Sequence, residues 1–216
     1  MSRIIIAGCS YSTPEGELPT SWPEILRNHT QHQVINLSKP GGSNDRIYRV
    51  IHETHEREPI TPRDILIIQH TSHNRFEITT DVEERDGRNT EKREYGRHIG
   101  WKVNSWRTTQ HEPLRNFART WEERYTCNKY NMLYYRRRHR EFMAYARSNQ
   151  WTIYHMWAAQ YSCYLRGSET YDNVIDVSTV TDDLALRLAP DDDGHLSVRG
   201  HETVADHVAK VLQSQL

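Results

Sequence analysis

Cysteine is scarce in this chain. Cys9, Cys127 and Cys163 are the three it has, widely spaced and with no Cys-x-x-Cys pair. An odd count at such spacings argues against a disulfide framework and a structural zinc site, and suits a reducing compartment. Long apolar runs are missing as well. No stretch nears the ~18 residues that a membrane span requires, and Ile4–Ala7 is too short for the apolar core of a signal peptide. The sequence therefore predicts a cytosolic protein with no membrane partner. Nor is there an excess of charge of one sign: 28 Lys and Arg face 29 Asp and Glu. That balance argues against bulk electrostatic attraction to nucleic acid or to anionic lipid. Phenylalanine is rare, 3 residues against 12 Tyr and 6 Trp. The aromatic inventory thus favours rings with a polar tip, which suit interfaces and sugar-facing surfaces as well as cores.

What is present fits one domain. A chain of 216 residues can bury a sizeable core. Hydrophobic residues make up 36%, so long hydrated excursions are expected beside that core. Strand-like and helix-like segments alternate, with no internal repeat. Ile4–Ala7 reads as a short buried strand, and Gln33–Leu37 as a second. Asp64–Gln69 is the strongest, with four consecutive apolar residues, as expected of a central parallel strand covered on both faces. Trp151–Trp157 and Asn173–Val177 complete a predicted sheet of about five strands. Helical spacing is read from Thr20 onward, over about 44–56, 113–125 and 129–148, and from Ser197 as cap to about Gln213. This order predicts an α/β fold: a three-layer α/β/α sandwich around an open, mainly parallel sheet. Between Asp81 and His98, eleven of eighteen residues are charged, with mixed sign. Such a pattern suits a solvated hairpin or loop, or a lid, and the charged insertion is expected to span about 78–112 within the single domain.

Open α/β sheets place their sites at the carboxyl ends of strands. In this order those ends carry Gly8-Cys9-Ser10, Gly41-Gly42-Ser43-Asn44 and Thr71-Ser72-His73-Asn74, while the last loop carries Asp192 and His195. A serine on a glycine-eased turn can act as a nucleophile if an imidazole takes its proton and an acid orients that imidazole. Asp192 and His195 can supply both. Backbone N–H groups at Ser10 and Gly42 could face a developing oxyanion. Other readings of these residues are weaker. His70 and His73 lack the acid or thiol cluster of a metal site. Cys9 at a strand end is expected to pack as a small apolar residue. The Gly41-Gly42-Ser43 turn has no following Lys of a P-loop. The Arg136-Arg137-Arg138 run reads as a hydrated helix face.

These segments resemble the SGNH (GDSL-type) hydrolases. Gly8-Cys9-Ser10-Tyr11 resembles their first sequence block, with Cys9 in place of the usual aspartate. Asn36–Asp45 resembles the second, whose glycine donates an N–H to the oxyanion. Asp192-Asp193-Gly194-His195, followed by Ser197 and Gly200-His201, resembles the last, which holds the family's acid and base. The resemblance covers about the first 75 residues and the C-terminal end. It implies a flavodoxin-like sheet and a Ser10–His195–Asp192 triad that needs no metal or cofactor. The implied substrate is a small-molecule or carbohydrate ester with a short acyl group, most plausibly O-acetyl. The third block departs from the family's Gly-x-Asn-Asp: here it reads His70-Thr71-Ser72-His73-Asn74-Arg75-Phe76-Glu77. Asn74, Asn44, Thr71, Ser72 and His73 are all candidates for the side-chain oxyanion donor, and Arg75 and Glu77 are candidate pocket residues or a structural ion pair. Two alternatives to hydrolysis stay open: acyl transfer by the same triad, and a non-catalytic binding protein that keeps the fold. The oligomeric state is not legible.

Overall fold

A computed structural model describes residues 2–14, 20–73, 75–80, 90–93, 96–102, 116, 119–120, 128–157, 171, 173–177 and 195–214. Its centre is a five-stranded sheet of β1 (Arg3–Ala7), β2 (Gln33–Asn36), β3 (Ile65–His70), β7 (Thr152–Trp157) and β8 (Val174–Ile175). The spatial order is β2-β1-β3-β7-β8, and every pairing is parallel. The expected α/β fold with about five parallel strands is therefore present.

Parallel strands covered on both faces read as unbroken apolar runs, and alternate side chains go to opposite layers. β1 and β3 do this residue by residue. Ile4, Ile6, Ile65 and Ile67 pack with Trp22, Leu26, Val204 and Val208 of α1 (Trp22–Asn28) and α4 (Val198–Gln213). Ile5, Ala7, Leu66 and Ile68 pack with Ile47, Ile51 and Phe142 of α2 (Asn44–Arg57) and α3 (Asn128–Ser148). At the amino edge, Asp64 takes hydrogen bonds from the Arg3 backbone N–H and guanidinium at 2.7–3.1 Å.

Two further features bear on the surroundings of this sheet. The charged insertion is a separate antiparallel sheet of order β4-β6-β5, formed by β4 (Arg75–Thr80), β5 (Thr90–Arg93) and β6 (Gly96–Lys102). It starts at Arg75, three residues before the expected boundary. It also abuts α2, where the Arg49 guanidinium grips both Glu77 oxygens at 2.7 and 2.8 Å. Glu77 thus pairs with Arg49 and not with Arg75. In α3 the buried stripe is Tyr135, His139, Phe142 and Ala146, whereas Leu133 and Tyr134 of the same helix are exposed. Of the expected 113–125 helix, residues 116, 119 and 120 are described, and all are helical.

Candidate active site

β1 ends at Ala7, and the chain turns at once into a single 3-10 turn, Ser10–Ser12. Gly8 is required here by close approach: a Cβ would stand 2.7 Å from Gln69 Oε1 and 2.9 Å from Gln69 Cβ. Gln69, fully buried on β3, is the post to which the turn is tied. Its Oε1 accepts from the Cys9 N–H at 3.0 Å, the Ser12 hydroxyl at 3.3 Å and the Cys9 thiol at 3.4 Å. Its Nε2 donates to the His70 carbonyl at 2.6 Å. The Trp22 indole N–H donates to Ser12 Oγ at 3.1 Å, and Asn36 Nδ2 to the Ser12 carbonyl at 2.9 Å. Cys9 is buried and held by Gln69, which fits packing and not nucleophilic chemistry.

Ser10 is left facing the last loop. Its Oγ lies 3.0 Å from His195 Nε2, a hydrogen bond across 185 positions of sequence. His195 is held from its C-terminal side. Leu196 is buried in the core, the Ser197 hydroxyl caps α4 by accepting the Gly200 N–H at 3.2 Å, and Val204, Ala205 and Val208 anchor the helix. His201, one turn into α4, is also buried. Its Nδ1 accepts the Trp22 backbone N–H at 3.2 Å, so the ring caps α1 and carries its proton on Nε2. Burial, then the nearby His195, pushes His201 down to about 4. It stays neutral and serves as a structural clasp between α1 and α4. Nothing in the sequence assigns this role, although Gly200-His201 belongs to the segment that resembles the family's last block.

The oxyanion candidates separate clearly. Among the described residues the Ser10 N–H meets no acceptor. The Gly42 N–H donates to the Lys39 carbonyl at 3.0 Å, closing a turn with Pro40 at its second position and Gly41, φ 73°, at its third. An oxyanion can recruit that N–H only by sharing it with Lys39. Asn44 is a correction. Its Nδ2 donates to the Thr71 carbonyl at 3.0 Å and approaches the Ser72 carbonyl at 3.5 Å, while its Oδ1 accepts the Thr71 N–H at 3.1 Å. The amide clamps α2 to the end of β3, with one firm bond to the Thr71 carbonyl and its oxygen on the Thr71 N–H. Asn74 and Asp192 lie outside the described residues. Arg75 opens β4, with its N–H on the Ser72 carbonyl at 3.1 Å. Arg75 is half-buried and lines a small cleft with Asn44, Asp45, His73 and Tyr135, and its Nε and Nη1 are buried without a hydrogen-bond partner among the described residues.

Beside this, β3 ends in a buried imidazole cluster that the sequence analysis did not find. His70 Nε2 meets His155 Nδ1 at 2.9 Å, His70 Nδ1 meets the Tyr135 hydroxyl at 2.9 Å, and His139 Nδ1 meets the Tyr48 hydroxyl at 3.0 Å. Burial holds His70 well below its ordinary value, His139 at about 4 and His155 at about 3. The rings are neutral, His70 bonded to His155 and Tyr135 and His139 bonded to Tyr48. Among the described residues no group of three or more His, Cys, Asp or Glu is arranged to hold a metal ion. Both ring nitrogens of His70 are taken up within this cluster, by His155 and Tyr135. No described helix is long and apolar enough to cross a membrane.

No protein-family model matches the chain, and no curated protein matches it in sequence. Solved structures do resemble it. A protein from Desulfitobacterium hafniense described as of the G-D-S-L lipolytic family superposes with TM-score 0.56 at 13% identity, over 98% of this chain and 99% of its own. The psychrotrophic esterase EstA from Pseudoalteromonas, in a structure inhibited by monoethylphosphonate, gives 0.53 at 10% identity, over 100% and 98%. The lipase Lip_vut3 from a goat rumen metagenome gives 0.51 at 9% identity, over 98% and 97%. These superpositions show that the chain has the fold of the G-D-S-L (SGNH) hydrolases.

Proposed function

We propose that this protein is a serine esterase that hydrolyses a short acyl ester, with O-acetyl on a carbohydrate as the favoured substrate. The observation that carries the proposal is the 3.0 Å bond between Ser10 Oγ and His195 Nε2 at the carboxyl edge of the sheet. An imidazole nitrogen at that distance can take the hydroxyl proton as oxygen attacks the acyl carbon, and return it to the leaving alcohol. Water then cleaves the acyl-enzyme by the same route in reverse. Asp192, three residues before His195, is the proposed acid that orients the ring. The Ser10 N–H and Asn74 are the proposed oxyanion donors, with Gly42 joining by sharing its turn bond. The neighbours described as an esterase and a lipase support an ester substrate. The abundance of Tyr and Trp supports a sugar-bearing one.

The test is fluorophosphonate labelling beside a short-chain aryl ester assay on wild type, Ser10→Ala and His195→Ala. Wild type should label and turn over, and each variant should lose on the order of 10⁶-fold in kcat. Labelling and turnover no greater in wild type than in Ser10→Ala would remove the esterase reading.

A further inference from the structure

α3 is out of balance with the rest of the chain. Over Asn128–Ser148 it carries Lys129, Arg136, Arg137, Arg138, Arg140 and Arg147 against one acid, Glu141, in a protein whose total charge is −1. The buried stripe of Tyr135, His139, Phe142 and Ala146 fixes how the helix is turned. Leu133, Arg137, Arg140, Ala144 and Arg147 then lie along the outward face, all exposed, with half-buried Arg136 beside them. From Leu133 to Arg147 this ridge is about 21 Å long, at 1.5 Å per residue. Arg137 and Arg138 share Glu141, and Arg138 also reaches Asp45 at 3.4 Å. Arg136, Arg140 and Arg147 have no ion-pair partner among the described residues. Surface arginines usually sit among compensating acids; here three do not.

The ridge begins on the half of α3 that lies by the end of β3. The N-terminal half of α3 lies at the carboxyl edge, where the Tyr135 hydroxyl bonds His70 at the end of β3 and Arg138 meets Asp45 in the first turn of α2. From there the helix runs back along the sheet to Trp151, ahead of β7. Apolar and aromatic surface accompanies the arginines: Leu133 is 53% exposed, Tyr134 43% and Tyr145 36%. The Tyr145 ring is braced by His52, 4.4 Å between centroids, and by Trp151 at 5.4 Å.

We propose that this face of α3 docks an anionic, carboxylate-bearing polysaccharide whose acylated sugar is presented to Ser10. The proposal rests on the esterase reading above for its choice of polymer. Planar guanidinium groups suit carboxylates, which they bind through two parallel hydrogen bonds. Tyrosine faces and Leu133 suit the apolar faces of sugar rings. Charge density selects among polyanions. Four arginines over this length amount to roughly one per 5 Å, close to a single carboxylate per sugar, whereas duplex DNA carries one charge per ~1.7 Å. Asp45 and Glu141 beside the ridge would also repel a dense phosphate array more than a sparse row of carboxylates.

The experiment uses the full chain and a triple variant, Arg136→Gln/Arg140→Gln/Arg147→Gln, in affinity electrophoresis against polygalacturonate, neutral dextran and duplex DNA. Wild type should be retarded most by polygalacturonate, and less as salt is added. The variant should bind it about tenfold more weakly, as expected for three exposed charge contacts, with unchanged hydrolysis of a small aryl ester. Equal retardation by dextran, tighter binding to DNA, or unchanged binding by the variant would each overturn the proposal. Binding is read without turnover, so the two readings fail separately. Retention of polygalacturonate by a chain that hydrolyses no aryl ester would sink the esterase and leave the ridge.

Discussion

The carboxyl ends of β1 and β3 lie side by side in one sheet and are built from different materials. At the end of β1, the side-chain bonds of the turn fix the neighbours of Ser10, Cys9 and Ser12 to Gln69 and Ser12 to Trp22 and Asn36, while Thr13 holds the Ser10 carbonyl. The serine hydroxyl itself is left for His195. At the end of β3 the polar groups face one another. His70 is closed off by His155 and Tyr135, and Thr71 by Asn44. One end holds a single reactive group still, and the other pairs its imidazoles and its Thr71 backbone with groups inside the core. Gln69 joins them, because its amide accepts from the first end and donates to the second. A nucleophile needs this kind of support, since small misplacement of a reacting atom lowers rate steeply.

Acid should break the comparison at the β3 end most strongly. His70, His139 and His155 are held neutral by burial, with His139 at about 4 and His155 at about 3, and His201 behaves alike at about 4. In the unfolded chain each returns to an ordinary value near 6.5. Below that pH the unfolded chain takes up protons that the folded chain cannot, so stability is full above ~6.5 and falls as pH drops toward ~4. Each imidazole contributes up to ~1.4 kcal/mol per pH unit, and by pH 5 the combined loss should be roughly 8 kcal/mol. Urea unfolding measured from pH 8 to pH 5 tests this. A flat profile would mean that the cluster is not held neutral.

Gln69→Leu tests the joint. It removes the acceptor of the Cys9 N–H and the Ser12 hydroxyl, both buried, and the donor to the His70 carbonyl. The expected loss is roughly 3 kcal/mol. At a temperature where the variant is folded, turnover of an aryl ester should fall at least tenfold, because the Ser10 turn loses its post. Lower stability with turnover unchanged would show that the turn keeps its shape without Gln69.

The β1 end was legible in the sequence and the β3 end was not, for physical reasons. Ile4–Ala7 and Ile65–Ile68 are apolar runs that a buried parallel strand demands. Ser10 and His195, far apart in sequence, could be paired because strand order alone brings those loops to one edge. Ser197 announces α4 as a helix cap. Gln69 gave no such signal, since a polar residue closing an apolar strand looks like the strand's end. His139 and Tyr135 fall on the helical period of Phe142 and Ala146, but imidazole and phenol are not counted as core until partners for their polar atoms are known. Asn44 looked like a free amide beside the site; its carbonyl partners come from a loop that the sequence could not place against it. The β4–β6 sheet was hidden because its strands are rich in charged residues and lack clean apolar alternation.

Asn44→Ala gives the smallest expected effect and the sharpest test of that correction. The change removes one firm bond to the Thr71 carbonyl and leaves the buried Thr71 N–H without an acceptor. A cost of roughly 2 kcal/mol follows, read as a lower urea midpoint with the slope unchanged. If the Asn44 amide is a clamp, kcat on an aryl ester should stay within about threefold of wild type under folding conditions, since no bond to the reacting oxygen is lost. If it is instead an oxyanion donor, kcat should fall on the order of 10²-fold or more while KM barely moves. A large loss of kcat with little loss of stability would return Asn44 to the catalytic edge and make the end of β3 a working part of the site.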